Sequence, residues 1–246
     1  MDIKNNTDGH FLLTPDFKNQ AWAKALQLVE KYIAHIPEYI ANKINLNNLP
    51  VTVEGENDIS AEICNYFNSL GDNLKTVDII NENELYLFCL THQITDESGA
   101  MRSNDMGISV IKRKNNGLPM AGTTPILRIE AKRLPTPGSS RKKEYVEGNL
   151  GGIERFKMGV HSHETPEAIM LAYIQKHDAA HWHTQVNTWI DEQITTSSNP
   201  TLTWAKQDKL QHKTTIGTVE KYHSTHKRIN SLSNEIELHH YWLPLK

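Results

Sequence analysis

Apolar residues recur at helical spacing over residues 16–36, DFKNQAWAKALQLVEKYIAHI, where Trp22, Ala25, Leu26, Val29 and Ile33 mark one face and Pro37 follows the last turn. Ile63, Tyr66, Phe67 and Leu70 repeat the spacing and predict a second helix over 59–70, with Asp58 or Ser60 as its cap. The pattern then changes. ELYLFCLTHQI (84–94) and DMGISVIKR (105–113) are rich in strand formers, and the turn-rich KNNGLPMAGTTP leads into ILRIEAKRL, which predicts a hairpin. PTPGSSRKK reads as a loop. From about 150 to 192 the spacing is helical again, with Ala168, Met170, Leu171, Ile174, Trp182, Val186, Trp189 and Ile190 as core candidates. TTSSNPT ends that stretch, and the tail predicts a strand pair whose better-defined member is IELHHYWLPL. Helices, central strands, helices and late strands in this order indicate an α/β chain with a mixed central sheet flanked by helices. Residues 1–50 read as an N-terminal helical extension and 51–246 as the main domain, the two forming either separate units or one continuous domain.

Composition narrows the picture. A hydrophobic content of 38% and a charged content of 22% belong to an ordinary globular chain, and no apolar run is long enough to span a bilayer. The N-terminal MDIKNNTDGH lacks the apolar stretch of a signal peptide, and Cys64 and Cys89 sit in apolar segments as buried thiols. A cytoplasmic, membrane-free protein is the expectation. The net charge of −3 does not advertise a nucleic-acid binder, but residues 112–157 hold eleven Lys or Arg against four Glu. That local excess can act as a footprint for phosphates, or equally as a solvated loop.

Candidate chemistry lies inside ILRIEAKRLP. Side chains alternate along a strand, so Arg128, Glu130 and Lys132 face one way and Ile129 and Ala131 the other. Phosphodiester hydrolysis requires a hard divalent cation held by one or two carboxylates, an activated water, and positive charge against the developing phosphorane. Asp105 opens one strand of the hairpin and Glu130 lies on the next, so the two carboxylates can converge on one cation, with the Ala131 carbonyl as a further ligand. Lys132 is then placed to orient the water and neutralise transition-state charge. A surface strand bearing an ion pair is the bland alternative.

Asp105 followed across a hairpin by Glu130-Ala131-Lys132 resembles the PD-(D/E)xK nuclease superfamily, the restriction-endonuclease-like fold, over about residues 59–190. The residue before Asp105 is Asn104 where the motif name has proline. The resemblance implies an Mg²⁺-dependent endonuclease acting on DNA, with Mn²⁺ able to substitute, in a bacterial or phage-related restriction or defence setting. It also implies a supporting carboxylate on the helix before the first core strand, a place that Glu62 matches. Residues 144–174 are similar to the stretch after E-x-K in small defence-associated nucleases. Lys142, Lys143, Tyr145, Arg155, Lys157 and His161 are accordingly the expected nucleic-acid contacts, with Gly151 and Gly152 allowing close backbone approach. Against this, Glu154 and Arg155 can simply pair on a helix surface, with the glycines making a turn.

Two other classes compete. One is a catalytically silent DNA-binding or assembly module of the same fold. The other is a zinc-stabilised interaction protein, suggested by His177 and His181 at i, i+4, by His183, His161 and His163, and by His239 and His240. No H-E-x-x-H, Walker loop, dinucleotide fingerprint or G-x-S-x-G elbow is present. Double-strand cleavage needs two active sites or two encounters, so a homodimer or a partner subunit of a defence complex is the expected assembly.

Overall fold

The structure, a computed structural model, describes residues 14–48, 53–81, 84–94, 104–114, 119–136, 138, 141–148 and 152–245. Six helices and eight strands are assigned among them: α1 (Pro15–Ile33), α2 (Ile36–Lys43), α3 (Val53–Ser69), α4 (Asp72–Lys75), β1 (Thr76–Asn81), β2 (Glu84–Ile94), β3 (Asn104–Lys114), β4 (Pro119–Leu134), α5 (Gly152–Lys157), β5 (Glu167–Ile174), α6 (Ala179–Thr195), β6 (Gln211–Ile216), β7 (Val219–Lys227) and β8 (Glu235–Pro244). The strands form one mixed sheet in the order β1-β2-β3-β4-β5-β8-β7-β6. β4, β5 and β8 run parallel at its centre, and antiparallel meanders extend it on both sides.

Each face of the sheet carries its own core. On one face α1, α2 and α3 cover Ile129, Ala131, Ile169, Leu171, Tyr173, Tyr241 and Leu243 in a single apolar cluster. α1 earns its place by its stripe of Phe17, Ala21, Ala25, Leu28, Val29 and Ile33, capped by Thr14, whose hydroxyl accepts from the Phe17 N–H. On the other face α5 and α6 cover Leu134, Met170, Ala172, Ile174, Leu238 and Trp242. Alternation along β4 and β5 therefore sends neighbouring residues into different cores.

Three sequence expectations change. α3 begins at Val53, so Asp58 and Ser60 lie within the helix rather than at its cap, and Ser60 Oγ is 2.9 Å from Tyr173 OH. Residues 167–174 are a strand, not part of a helix: after the half-buried Glu167, AIMLAYI is an unbroken apolar run buried on both faces, as a central parallel strand must be. The tail supplies three strands instead of two. The β3–β4 hairpin forms as expected, with Met106 opposite Ile129 and Ile108 opposite Leu127. Cys64 is buried and Cys89 half-buried; both are free, and burial pushes the Cys64 thiol up to about 12. No helix among the described residues is long and apolar enough to cross a membrane.

Candidate active site

Glu130 and Lys132 do share one face of β4, and they touch: Lys132 Nζ lies 2.9 Å from Glu130 Oε1. The same ammonium donates to the Ala131 carbonyl at 2.9 Å and stands 3.1 Å from Glu56 Oε1. Glu56 comes from the start of α3. Its second oxygen accepts the Arg133 N–H at 3.0 Å, so the carboxylate caps the β4 edge beyond the Met106–Ile129 pair, where the β3 ladder ends. A carboxylate spends one oxygen on the backbone and the other on Lys132, which fixes both the helix start and the lysine rotamer.

His161 closes the set from the far side, with Nε2 3.2 Å from Glu130 Oε2. Glu144 approaches Lys132 and Glu56 from the 141–148 turn, and is itself paired with Arg141 at 2.6 Å. Every one of these groups is buried: Glu56 is 2% exposed, Glu130 1%, Lys132 4%, Glu144 4% and His161 0%. Burial pushes the Glu130 carboxyl up, but His161 and Lys132 pull it down by more, so it is held well below the ordinary carboxylate range. Burial lowers the His161 pKa, Glu130 opposes that, and Arg155 and Lys132 add to it, which leaves the imidazole neutral at pH 7. Lys132 is then the cation that keeps Glu130 ionised. Burial raises the Glu144 carboxyl, with Arg141 and Lys132 opposing.

The expected residues divide accordingly. Glu130, Lys132, the Ala131 carbonyl and His161 come together, although His161 meets Glu130 rather than a phosphate surface. Asp105 lies on β3, and the ladder's Met106–Ile129 pair stops one residue short of it and Glu130; its side chain falls outside the described residues. Glu62 is not in the set: it accepts from Asn65 at 3.3 Å and Tyr39 at 3.4 Å on the outer part of α3. Glu56 is the α3 carboxylate that reaches Lys132, six residues or about 9 Å earlier along the helix axis. Arg155 is half-buried beside His161, and Lys142 is exposed on the 141–148 turn. Lys143 pairs with Glu147 and Glu192.

Lys157 and Tyr145, expected to meet phosphates, are instead buried in the second core. Lys157 Nζ is 2.6 Å from Asp208 Oδ1 and 4.6 Å from the centre of the Trp204 ring, and burial lowers its pKa. Gly152 packs against Met170 and the Tyr145 carbonyl, so its missing side chain serves core packing; Gly151 falls outside the described residues. His177 and His181 are exposed and stack with ring centres 4.1 Å apart. Parallel rings point their in-plane lone pairs past each other, which is poor geometry for chelating one ion.

A second polar constellation was not anticipated. Asp208 Oδ1 lies 2.6 Å from His226 Nδ1, and His226 Nε2 lies 2.6 Å from Ser224 Oγ, an acid–imidazole–hydroxyl order familiar from hydrolases. The chain continues from Ser224 to His240 Nε2 at 2.7 Å, then from His240 Nδ1 to Tyr145 OH at 2.8 Å, where the Trp242 N–H donates at 2.9 Å. Asp208, held ionised, can only accept, and with both imidazoles neutral this sets one direction along the chain: His226 to Asp208, Ser224 to His226, His240 to Ser224, Tyr145 to His240 and Trp242 to Tyr145. Ser224 is 2% exposed and its hydroxyl is committed on both sides, so it is locked in the core rather than offered to a substrate.

The sequence held one readable signal for Glu56. It sits on the stripe continued by Ile59, Ile63 and Phe67, and a carboxylate on an apolar stripe demands a buried partner. Asp208, His226 and His240 gave no comparable sign, because their pairing depends on which strands become neighbours. No known protein-family model matches the chain, and no curated protein or solved structure proves similar to it.

Proposed function

We propose that the chain is a metal-dependent phosphodiesterase of the PD-(D/E)xK type, acting on DNA, with Glu130 and Lys132 at its centre. The observation that carries this reading is the contact of Glu130 and Lys132 on one face of β4, beside the strand that Asp105 opens and braced by Glu56 from the preceding helix. The order α3, α4, β1, β2, β3, β4, α5, β5, with an antiparallel β3–β4 hairpin followed by a parallel crossover to β5, is compatible with this reading.

The residues fit a hard cation. Glu130 is ionised, and its Oε2 faces His161 Nε2 at 3.2 Å; an oxygen with two lone pairs keeps one beyond that contact for an ion. Asp105 and Glu130 would supply carboxylates, and the Ala131 carbonyl a neutral oxygen. Bound there, Mg²⁺ or Mn²⁺ would polarise the scissile phosphate and lower the pKa of an attacking water. Lys132 holds positive charge beside that point, and Glu56 keeps its ammonium in place. His161, neutral at pH 7, is able to take a proton near Glu130. Because the set is closed to solvent, substrate entry requires the turn bearing Arg141 and Glu144 to swing away from Lys132. Arg155 and Lys142 remain as the phosphate contacts of this reading.

The test uses the full chain, supercoiled plasmid, and Mg²⁺ or Mn²⁺ with an EDTA control. Cleavage that is lost in Glu130→Ala and Lys132→Ala, each by a factor of 10² or more, supports the proposal. Partial rescue of Glu130→Ala by high Mn²⁺, without rescue of Lys132→Ala, would separate metal binding from charge stabilisation. DNA binding without cleavage under every metal condition would instead favour the silent binding module.

A further inference from the structure

Two carboxylates and two imidazoles meet on the sheet face opposite Glu130, and none belongs to the site above. Glu167 opens β5 and pairs with Glu237 of β8; His239 is two residues further along β8 and pairs with His223 of β7. A two-residue step returns a strand to the same face, so this register alone gathers all four side chains from three adjacent strands. His239 Nε2 lies 2.9 Å from Glu167 Oε2, and His223 Nε2 lies 3.3 Å from Glu237 Oε2. One ligand atom from each of Glu167, Glu237 and His239 falls within 4.8 Å of the other two. Atoms sharing one cation at about 2.1 Å stand roughly 3.0 Å apart in an octahedron and roughly 3.4 Å apart in a tetrahedron, so these three close around an ion by small side-chain rotations, and His223 joins them through its contact with Glu237.

His239 is 9% exposed and its ring rests 5.6 Å from that of Trp22, so packing holds the imidazole in place with Nε2 turned toward Glu167. Glu237 and His223 stay open, with side chains 53% and 21% exposed, so an ion can reach the cluster from solvent.

We propose that Glu167, Glu237, His223 and His239 form a binding site for a divalent transition-metal ion of the zinc class, clamping β5, β8 and β7 together. Two imidazoles with two carboxylates suit borderline Zn²⁺, whereas Mg²⁺ and Ca²⁺ prefer oxygen donors alone. The site therefore differs from the Glu130 site in face, donor set and metal, and stands whether or not the chain cleaves DNA.

The experiment titrates ZnCl₂ and, separately, MgCl₂ into chelator-stripped full-length protein, by calorimetry and thermal unfolding. One Zn²⁺ per chain is expected at micromolar affinity or tighter, with a rise in the unfolding midpoint, and no comparable midpoint rise from Mg²⁺ in the Glu130→Gln variant. Glu237→Gln and His223→Asn, both at accessible positions, should each weaken Zn²⁺ at least tenfold, while Glu130→Gln binds it like the parent. Absence of Zn²⁺ binding would overturn the proposal. So would Zn²⁺ binding that persists in both cluster variants and disappears in a His177→Asn, His181→Asn double variant, which would mark surface histidines only.

Discussion

Lowering the pH from 6.5 to 5.5 should destabilise the metal-free protein through the chain that joins Asp208, His226, Ser224, His240, Tyr145 and Trp242. Burial lowers the pKa of His226, with Asp208 opposing and Lys157 and His223 reinforcing, and burial holds His240 well below 6.5, with His226, His239 and His223 adding to it. Both rings are 0% exposed. Protonating either one places two donors face to face and leaves the Ser224 or Tyr145 hydroxyl proton without an acceptor. The sign follows from proton counting. The unfolded chain binds more protons than the folded one below about pH 6.5, so stability is complete above that value and falls as pH drops toward the folded pKa. A histidine that stays neutral when folded loses about 1 kcal/mol of stabilisation between pH 6.5 and 5.5, so the pair sets a ceiling of about 2 kcal/mol. That is a large part of an ordinary folding free energy of about 5–15 kcal/mol. Glu130 and Asp208, whose pKa values are also lowered, act only below the carboxylate range, whereas His161 and His92, lowered by burial as well, add to the loss in this window with the same sign. Urea unfolding followed by tryptophan fluorescence reads it directly, since Trp182, Trp189, Trp204 and Trp242 all lie in this core. Equal stabilities at the two pH values, or a His240 ring resonance titrating near 6.5 in the folded protein, would refute the reasoning.

Three further outcomes are expected. Asp208→Ala strands the buried Lys157 ammonium and should cost about 3–5 kcal/mol in urea unfolding, with Lys157→Met in the same background recovering much of the loss. Glu56→Gln should reduce plasmid cleavage sharply while Glu62→Gln leaves it near the parent rate, because only Glu56 touches Lys132; parallel cleavage assays on the two variants decide it. Gly159→Ala should destabilise by about 1–3 kcal/mol in thermal unfolding, since its φ of +70° is left-handed and an added Cβ would meet the Asn230 and Ile229 carbonyls at 2.5 and 2.6 Å.

Local pattern alone determined a good deal of this protein. The stripe of α1, the hairpin of β3 and β4, and the one-faced pairing of Glu130 with Lys132 all follow from 3.6- and 2-residue periods, which act between near neighbours. The helical expectation for residues 167–174 fails because an apolar run has no period, and only burial between β4 and β8 makes it a strand. Choosing Glu56 over Glu62 needed the start of α3 to reach the open β4 edge, where the Arg133 N–H and Lys132 wait 77 and 76 residues away in the chain. The inward turn of Lys157 and the union of Glu167, Glu237, His223 and His239 were likewise decided by strand order. No local signal specifies which strands become neighbours; the core on each face does, by burying the apolar side of every strand at once.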